Sequence, residues 1–342
     1  MYMTFRWYGS RDPVTLQQIR QIPLVEGIVA ALYEAPAGDL WDEDRLDALK
    51  REIEAAGLRF TVVESLPVHE DIKLGRPSRD GLIETYAENV RRLARVGVEV
   101  ICYNFMPLFD WFRTDLALPL PDGSTALSYD HTRLADIDDP FSFELPAWMP
   151  IEQPDELQEA YRATSEADLW VHLAYFLERV IPVAEAVGLR LALHPDDPPW
   201  SIYGLPRIIT DEAALARVLT LAESPANGLT FCTGSLGANP ANDLPHMIRR
   251  FGQRIHFAHC RNVRLTGAQS FHESAHPTAC GDVDMAAVLR AYHDVGFTGP
   301  MRPDHGRMIW GETGKPGYGL HDRALGAMYL SGLWEGISNG EL

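Results

Sequence analysis

Apolar positions along this chain fall into short runs separated by stretches of helical period. Eight runs read as strands: Met3 to Tyr8, Leu24 to Ala30, Leu58 to Val63, Val98 to Tyr103, Leu189 to Leu193, Leu229 to Phe231, Arg254 to Ala258 and Gly299 to Pro303. Most are followed by helical patterns, over Pro13–Gln21, Asp42–Ala56, Asp80–Val96, Pro154–Val187, Asp211–Ala222, Pro240–Phe251, Asp284–Val295 and Gly319–Glu335. Pro154–Val187 is long enough to be two helices. Asp12 before Pro13, and Asn239 before Pro240, are predicted helix caps, and Gly57, Gly97 and Gly188 are predicted stops. Two stretches break the rhythm. Asn104 to Gln153 holds prolines, aspartates and aromatics with little periodicity, and reads as a lid-like insertion after the fourth strand. Arg261 to Val283 is a second long loop, rich in histidine and glycine. Eight strand–helix units predict an α/β fold, a (β/α)8 TIM barrel forming one domain over residues 1–342. An open doubly wound sheet would want a glycine-rich phosphate turn after an early strand, and Gly9-Ser10-Arg11-Asp12 is not one.

Composition narrows the partners. The chain is 46% hydrophobic and 23% charged, which predicts a soluble globular protein. Its formal net charge is -18, which opposes nucleic acid and anionic membrane surfaces. An anionic substrate therefore needs a locally positive site. The first residues show no apolar signal core, and no run approaches a membrane span. Cys102, Cys232, Cys260 and Cys280 are too few for a disulfide scaffold, so a cytoplasmic setting is expected.

In such a barrel the C-terminal ends of the strands carry the chemistry. His194, Cys232, His259 and Asp304 stand at those ends on strands five to eight. Strand alternation pairs each with an inward companion two residues earlier: Ala192, Thr230, Phe257 and Arg302. Four inward positions on neighbouring strands can converge on one metal ion. Two imidazoles and a thiolate suit zinc, whereas a carboxylate and spare positions suit manganese or iron(II). Four protein ligands already complete a tetrahedron, so substrate entry favours a metal that accepts an octahedron. Mn²⁺ is expected, with Fe²⁺ as the other choice.

Several stretches identify a family. They are Met3-Thr4-Phe5-Arg6-Trp7-Tyr8-Gly9, Cys102-Tyr103-Asn104-Phe105-Met106-Pro107, Asp110-Trp111-Phe112-Arg113-Thr114-Asp115-Leu116 and His194-Pro195-Asp196-Asp197-Pro198-Pro199. Thr233-Gly234-Ser235, His259-Cys260-Arg261-Asn262-Val263, Arg302-Pro303-Asp304-His305-Gly306 and Pro316-Gly317-Tyr318-Gly319 complete the set. Through them the chain resembles the mannonate dehydratase family, in the xylose-isomerase-like group of metal-dependent barrels. The resemblance implies dehydration of D-mannonate to 2-keto-3-deoxy-D-gluconate in hexuronate catabolism. It also implies a divalent metal, typically Mn²⁺, on the four residues above, and catalytic roles for His305 and Tyr318.

The residues fit that chemistry. His305 follows Asp304 directly, and histidine passes protons near neutral pH. Tyr318 lies in a Pro-Gly-Tyr-Gly turn that can project a phenol. The expectation is that they flank the substrate from opposite sides, with base and acid left open. Arg113 and Arg261 are the best-placed positive groups for a sugar acid. Arg302 is expected to point into the barrel and pair with a carboxylate. His272 and His276, in the loop after strand seven, can touch hydroxyls or be polar loop groups, and Trp7 can stack on the sugar chain or be core. The alternatives are a metal-dependent sugar isomerase or epimerase on the same barrel, and a non-catalytic sugar-acid-binding barrel. The expected partners are a small sugar acid and a second copy in a homo-oligomer, a dimer. The choice between mannonate and gluconate stays open.

Overall fold

The structure, a computed structural model, describes residues 1–138, 140 and 154–340. Among these the strands run, in chain order, β1 Tyr2–Arg6, β2 Val25–Ala30, β3 Arg59–Glu64, β4 Val100–Tyr103, β5 Asp115–Pro119, β6 Thr125–Asp130, β7 Arg190–Leu193, β8 Asn227–Cys232, β9 Ile255–Cys260, β10 Val263–Gly267, β11 Ser270–Glu273 and β12 Pro300–Pro303. Eight of them close a parallel barrel in the order β1-β12-β9-β8-β7-β4-β3-β2. This is the expected TIM barrel. Helices pack outside it; in Glu166–Ala186 the buried residues Leu169, Leu173, Phe176, Leu177 and Val180 recur every three or four positions and face the strands. The main apolar core lies between strands and helices, and a second, smaller cluster fills the barrel: Val29, Val62, Val100, Cys102, Ala192 and Phe257.

Helix starts differ from the expectation in two places, for one reason. Asp12 accepts the N–H of Val14 at 3.0 Å, and Asn239 accepts that of Ala241 at 3.1 Å. Each side chain therefore closes a turn two residues on instead of capping a helix. The helices begin later, at Leu16 behind a Thr15–Gln18 capping box and at Leu244 behind Asp243. The long helical stretch resolves into Pro154–Arg162 and Glu166–Ala186, divided where Ser165 caps the second. Gly57 does end its helix at a positive φ of 77°, which a side chain there would resist.

The two long insertions are not irregular loops. β5 and β6 form an antiparallel hairpin in the first, β10 and β11 another in the second, and β6 pairs antiparallel with β11 to join them in the order β10-β11-β6-β5. Phe271 faces Tyr129 across the β11–β6 register with stacked rings 6.0 Å apart. These β6–β11 partners are more than 130 residues apart in sequence, so neither insertion alone shows that the two hairpins share a sheet. The end of the first insertion, residues 139 and 141–153, lies outside the described residues. Among the described residues no helix is long and apolar enough to cross a membrane.

Candidate active site

Register decides what meets at the mouth of the barrel. Cys232 on β8 and Arg302 on β12 both pair with His259 on β9, so the three share one level. His194 and Asp304 follow the last residues of β7 and β12. Ligand atoms of His194, Cys232 and His259 all lie within 4.8 Å of one another. Asp304 Oδ2 stands 3.7 Å from Cys232 Sγ and 3.8 Å from His259 Nδ1. His194 donates from Nδ1 to the Pro195 carbonyl at 2.6 Å, which leaves Nε2 as a bare lone pair. Burial lowers the His194 pKa against the pull of Glu64 and Asp304, and keeps the ring neutral. The backbone N–H of Ser235 points at Cys232 Sγ from 3.4 Å. Both ring nitrogens of His259 are buried without a hydrogen-bond partner among the described residues. Lone pairs from four residues thus face one small volume, and this donor set fits a divalent cation of the softer kind.

Charges surround this volume in alternation. Arg302 bonds Glu64 at 2.8 Å and contacts Asp304 at 2.7 Å, inside the barrel as expected. Arg6 bonds the same Glu64 oxygen at 2.9 Å. Burial alone would raise the Asp304 carboxyl, but Arg302, His305, His259 and Arg261 hold it well below the ordinary carboxylate range.

His305 and Tyr318 are not held apart. His305 Nε2 lies 2.7 Å from the Tyr318 hydroxyl, which also accepts from Arg6 at 3.1 Å. The expectation of opposite sides fails because the Lys315–Tyr318 turn folds back on the β12 loop, where Gly306 N–H bonds the Gly317 carbonyl at 2.9 Å. Burial lowers the His305 pKa and raises that of Tyr318, so the resting pair is a neutral imidazole and a phenol.

The two candidate substrate arginines are already paired. Arg113 forks onto Asp197 at 2.9 and 3.0 Å and bonds Glu273 at 2.8 Å. Arg261 bonds Asp197 at 2.8 Å and Glu273 at 2.9 Å, and its Nη1 stands 3.1 Å from His305 Nδ1. All four charged groups are fully buried. They form a wall of the site, and neither guanidinium is a free cation awaiting a carboxylate. Gly234 makes room for this wall, since a Cβ there would fall 1.8 Å from Arg261 Nε. His276 is buried against Gly326, with both ring nitrogens unpartnered among the described residues, whereas half-buried His272 bonds the Glu273 carbonyl at 2.8 Å. Trp7 is core: it belongs to the main apolar cluster outside the barrel, while Arg6 before it bonds Glu64 within.

Sequence reasoning missed Arg6, Glu64, Asp197, Glu273 and Trp111, whose ring lies 4.8 Å from that of His305. Alternation along β1 and β3 could have found Arg6 and Glu64, one at the end of each strand. Asp197 and Glu273 carried no local signal, because the group forms only where Arg113 of the first insertion meets Arg261 of the second.

The closed eight-stranded α/β barrel is a fold shared with solved sugar-isomerase and epimerase barrels. D-psicose 3-epimerase from Clostridium cellulolyticum H10 shares it over 100% of this chain and 98% of its own, at a TM-score of 0.56; 13% identity makes that a likeness of fold alone. The family model described as D-mannonate dehydratase (UxuA) matches residues 1–342. Mannonate dehydratase 2 of Halalkalibacterium halodurans is 55% identical over 346 residues, covering 99% of this chain and 100% of the relative. The crystal structure of mannonate dehydratase from Streptococcus suis serotype 2 superposes with a TM-score of 0.94 at 48% identity, over 99% of this chain and 95% of that one. The chain belongs to the mannonate dehydratase family, which are hydro-lyases.

Proposed function

We propose that the protein dehydrates D-mannonate to 2-keto-3-deoxy-D-gluconate, a step of hexuronate breakdown, with His194, Cys232, His259 and Asp304 holding one divalent metal, Mn²⁺ before Fe²⁺. The observation that carries this reading is the 2.7 Å His305–Tyr318 contact beside Asp304. Two obstacles define the chemistry. The carbon-2 proton is weakly acidic, because the neighbouring carboxylate is already negative, and hydroxide leaves carbon 3 poorly. When bound, the metal supplies a Lewis acid that draws charge from that carboxylate. The chain's own residues move the protons. One member of the His305–Tyr318 pair takes the proton from carbon 2, and the C–H electrons become the double bond to carbon 3. The C3–O bond breaks and the other member protonates the departing oxygen, so water leaves. The enol then becomes the ketone by taking a proton at carbon 3 and releasing one from its hydroxyl. Because the pair shares a hydrogen bond, a proton gained by one passes to the other, and the pair is ready again from one side of the substrate. The Arg113, Arg261, Asp197 and Glu273 wall excludes water behind His305.

The test is to strip the protein with a chelator, restore Mn²⁺, and offer D-mannonate, D-gluconate and neutral sugars. Keto-deoxy product from mannonate only after metal return supports the proposal. Product from none of the acids, or interconversion of neutral sugars, overturns it.

A further inference from the structure

Two buried atoms face one another without another partner. His259 Nε2 and Glu64 Oε2 lie 3.4 Å apart, and neither bonds elsewhere among the described residues. The other Glu64 oxygen is taken by Arg6 at 2.9 Å and Arg302 at 2.8 Å. These two arginines fix the carboxylate plane and keep it ionised, so Oε2 can only accept a hydrogen bond. An imidazole that ligates a metal does so through one bare nitrogen and carries its proton on the other. The nitrogen that faces Oε2 is the one placed to donate. The other, Nδ1, faces Asp304 Oδ2 at 3.8 Å, on the side of the other candidate ligands. The His259 ring also meets Phe257 edge to face at 4.5 Å and neighbours the His194 ring at 5.1 Å.

We propose that Glu64 is a positioning residue for the metal centre: its Oε2 holds the His259 ring in the Nε2–H form and so presents Nδ1 as the ligating nitrogen. Arg6 and Arg302 act through it, by holding Oε2 at the height of the ring. Glu64 belongs to β3, across the barrel from β9, so no ligand motif announces it. This inference rests on the metal reading above and goes further, by naming the ligating atom and the group that selects it. Carboxylates in this role typically contribute about 10–100-fold in metal affinity.

The experiment titrates Mn²⁺ into chelator-stripped protein by calorimetry, for the natural chain, Glu64→Gln and Glu64→Asp. Gln keeps the volume and removes the charge. Asp keeps the charge for the arginines but draws the oxygen back from His259. Both variants are expected to lose about 10–100-fold in Mn²⁺ affinity. Histidine-labelled natural chain loaded with diamagnetic Zn²⁺ supplies a readout that needs no variant at Glu64. Its ¹⁵N spectrum, with the His259 signals assigned through His259→Asn, should show Nε2 protonated and Nδ1 bound to metal. Unchanged affinity in both folded variants, or His259 bound through Nε2, overturns the role of Glu64. Failure of the natural chain to take up either metal overturns the metal reading instead, and that outcome is distinct because it precedes any substitution.

Discussion

Inside the barrel two sets of side chains lie only two residues apart along the same strands. Val62, Phe257 and Ala192 point inward and form an apolar plug with Val29, Val100 and Cys102. Two residues further toward the C-terminal ends come Glu64, His259 and His194, with Arg6, Arg302 and Asp304 between them. The plug is apolar, and Thr230 beside it bonds the Ala192 carbonyl at 3.1 Å and Cys102 Sγ at 3.2 Å. Apart from half-buried His194 the charged set is also buried, yet it holds both His259 nitrogens and Glu64 Oε2 without hydrogen-bond partners among the described residues. Both sets are largely buried, while satisfaction differs. Unmet buried polar atoms cost free energy, and they are kept here where a ligand would meet them. The plug gives that set a rigid floor of low dielectric, in which each charge acts strongly.

Breaking the upper set should destroy activity while sparing the fold. Cys232→Ser is expected to lower Mn²⁺ affinity by more than the ~10–100-fold typical of groups that only support a ligand, as read by calorimetry. Chelation should silence the natural chain, and Mn²⁺ should restore the rate better than Mg²⁺, which binds thiolate and imidazole poorly. Equal rescue by Mg²⁺ would falsify this ligand set. Next in size, His305→Asn and Tyr318→Phe should each cut kcat by ~10²- to 10⁴-fold with metal still bound. Because the two groups share a hydrogen bond, the double variant should fall little below the worse single one; multiplicative losses would show that they act separately.

Breaking the lower set should do the reverse. Phe257→Ala opens a cavity in the plug and is expected to cost about 3–5 kcal/mol in denaturant unfolding. A loss of rate with unchanged stability would mean that the two sets are not distinct.

His256, three residues before His259, sharpens the contrast through pH. Its ring lies against Gly228 near the foot of β9, and burial, with Arg190 and Arg254 nearby, lowers its pKa to about 3. The folded chain resists a proton that the unfolded chain accepts near pH 6.5, so stability falls as pH drops from about 6.5 toward 3. Between pH 7 and pH 5 the loss from this group is about 2 kcal/mol. His256→Gln should flatten that slope in urea titrations at the two pH values. The smallest effect is expected from Cys260→Ser. Cys260 belongs to the main cluster outside the barrel, so its loss should cost about 1–3 kcal/mol of stability and no metal. Metal loss equal to that of Cys232→Ser would reverse the facing of β9.

The barrel was legible because each of its strands is an apolar run, buried on both faces and joined by a helix of its own period. His194, Cys232, His259 and Asp304 were legible for the same reason: once strand ends are placed, alternation fixes which side chains face inward. The insertions were not. Asp115–Pro119 and Ser270–Glu273 are too short and too mixed to show a period, and only the β11–β6 ladder joins the two hairpins into one sheet. Glu273 reaches Arg113, Arg261 and His305 through that ladder. The placement of His305 against Tyr318 likewise depends on a turn closing across a loop. What the sequence determined by itself is what local period and facing can encode. What the tertiary structure decided is every pairing between groups distant in the chain, where charge, geometry and burial are settled only once the backbone has closed.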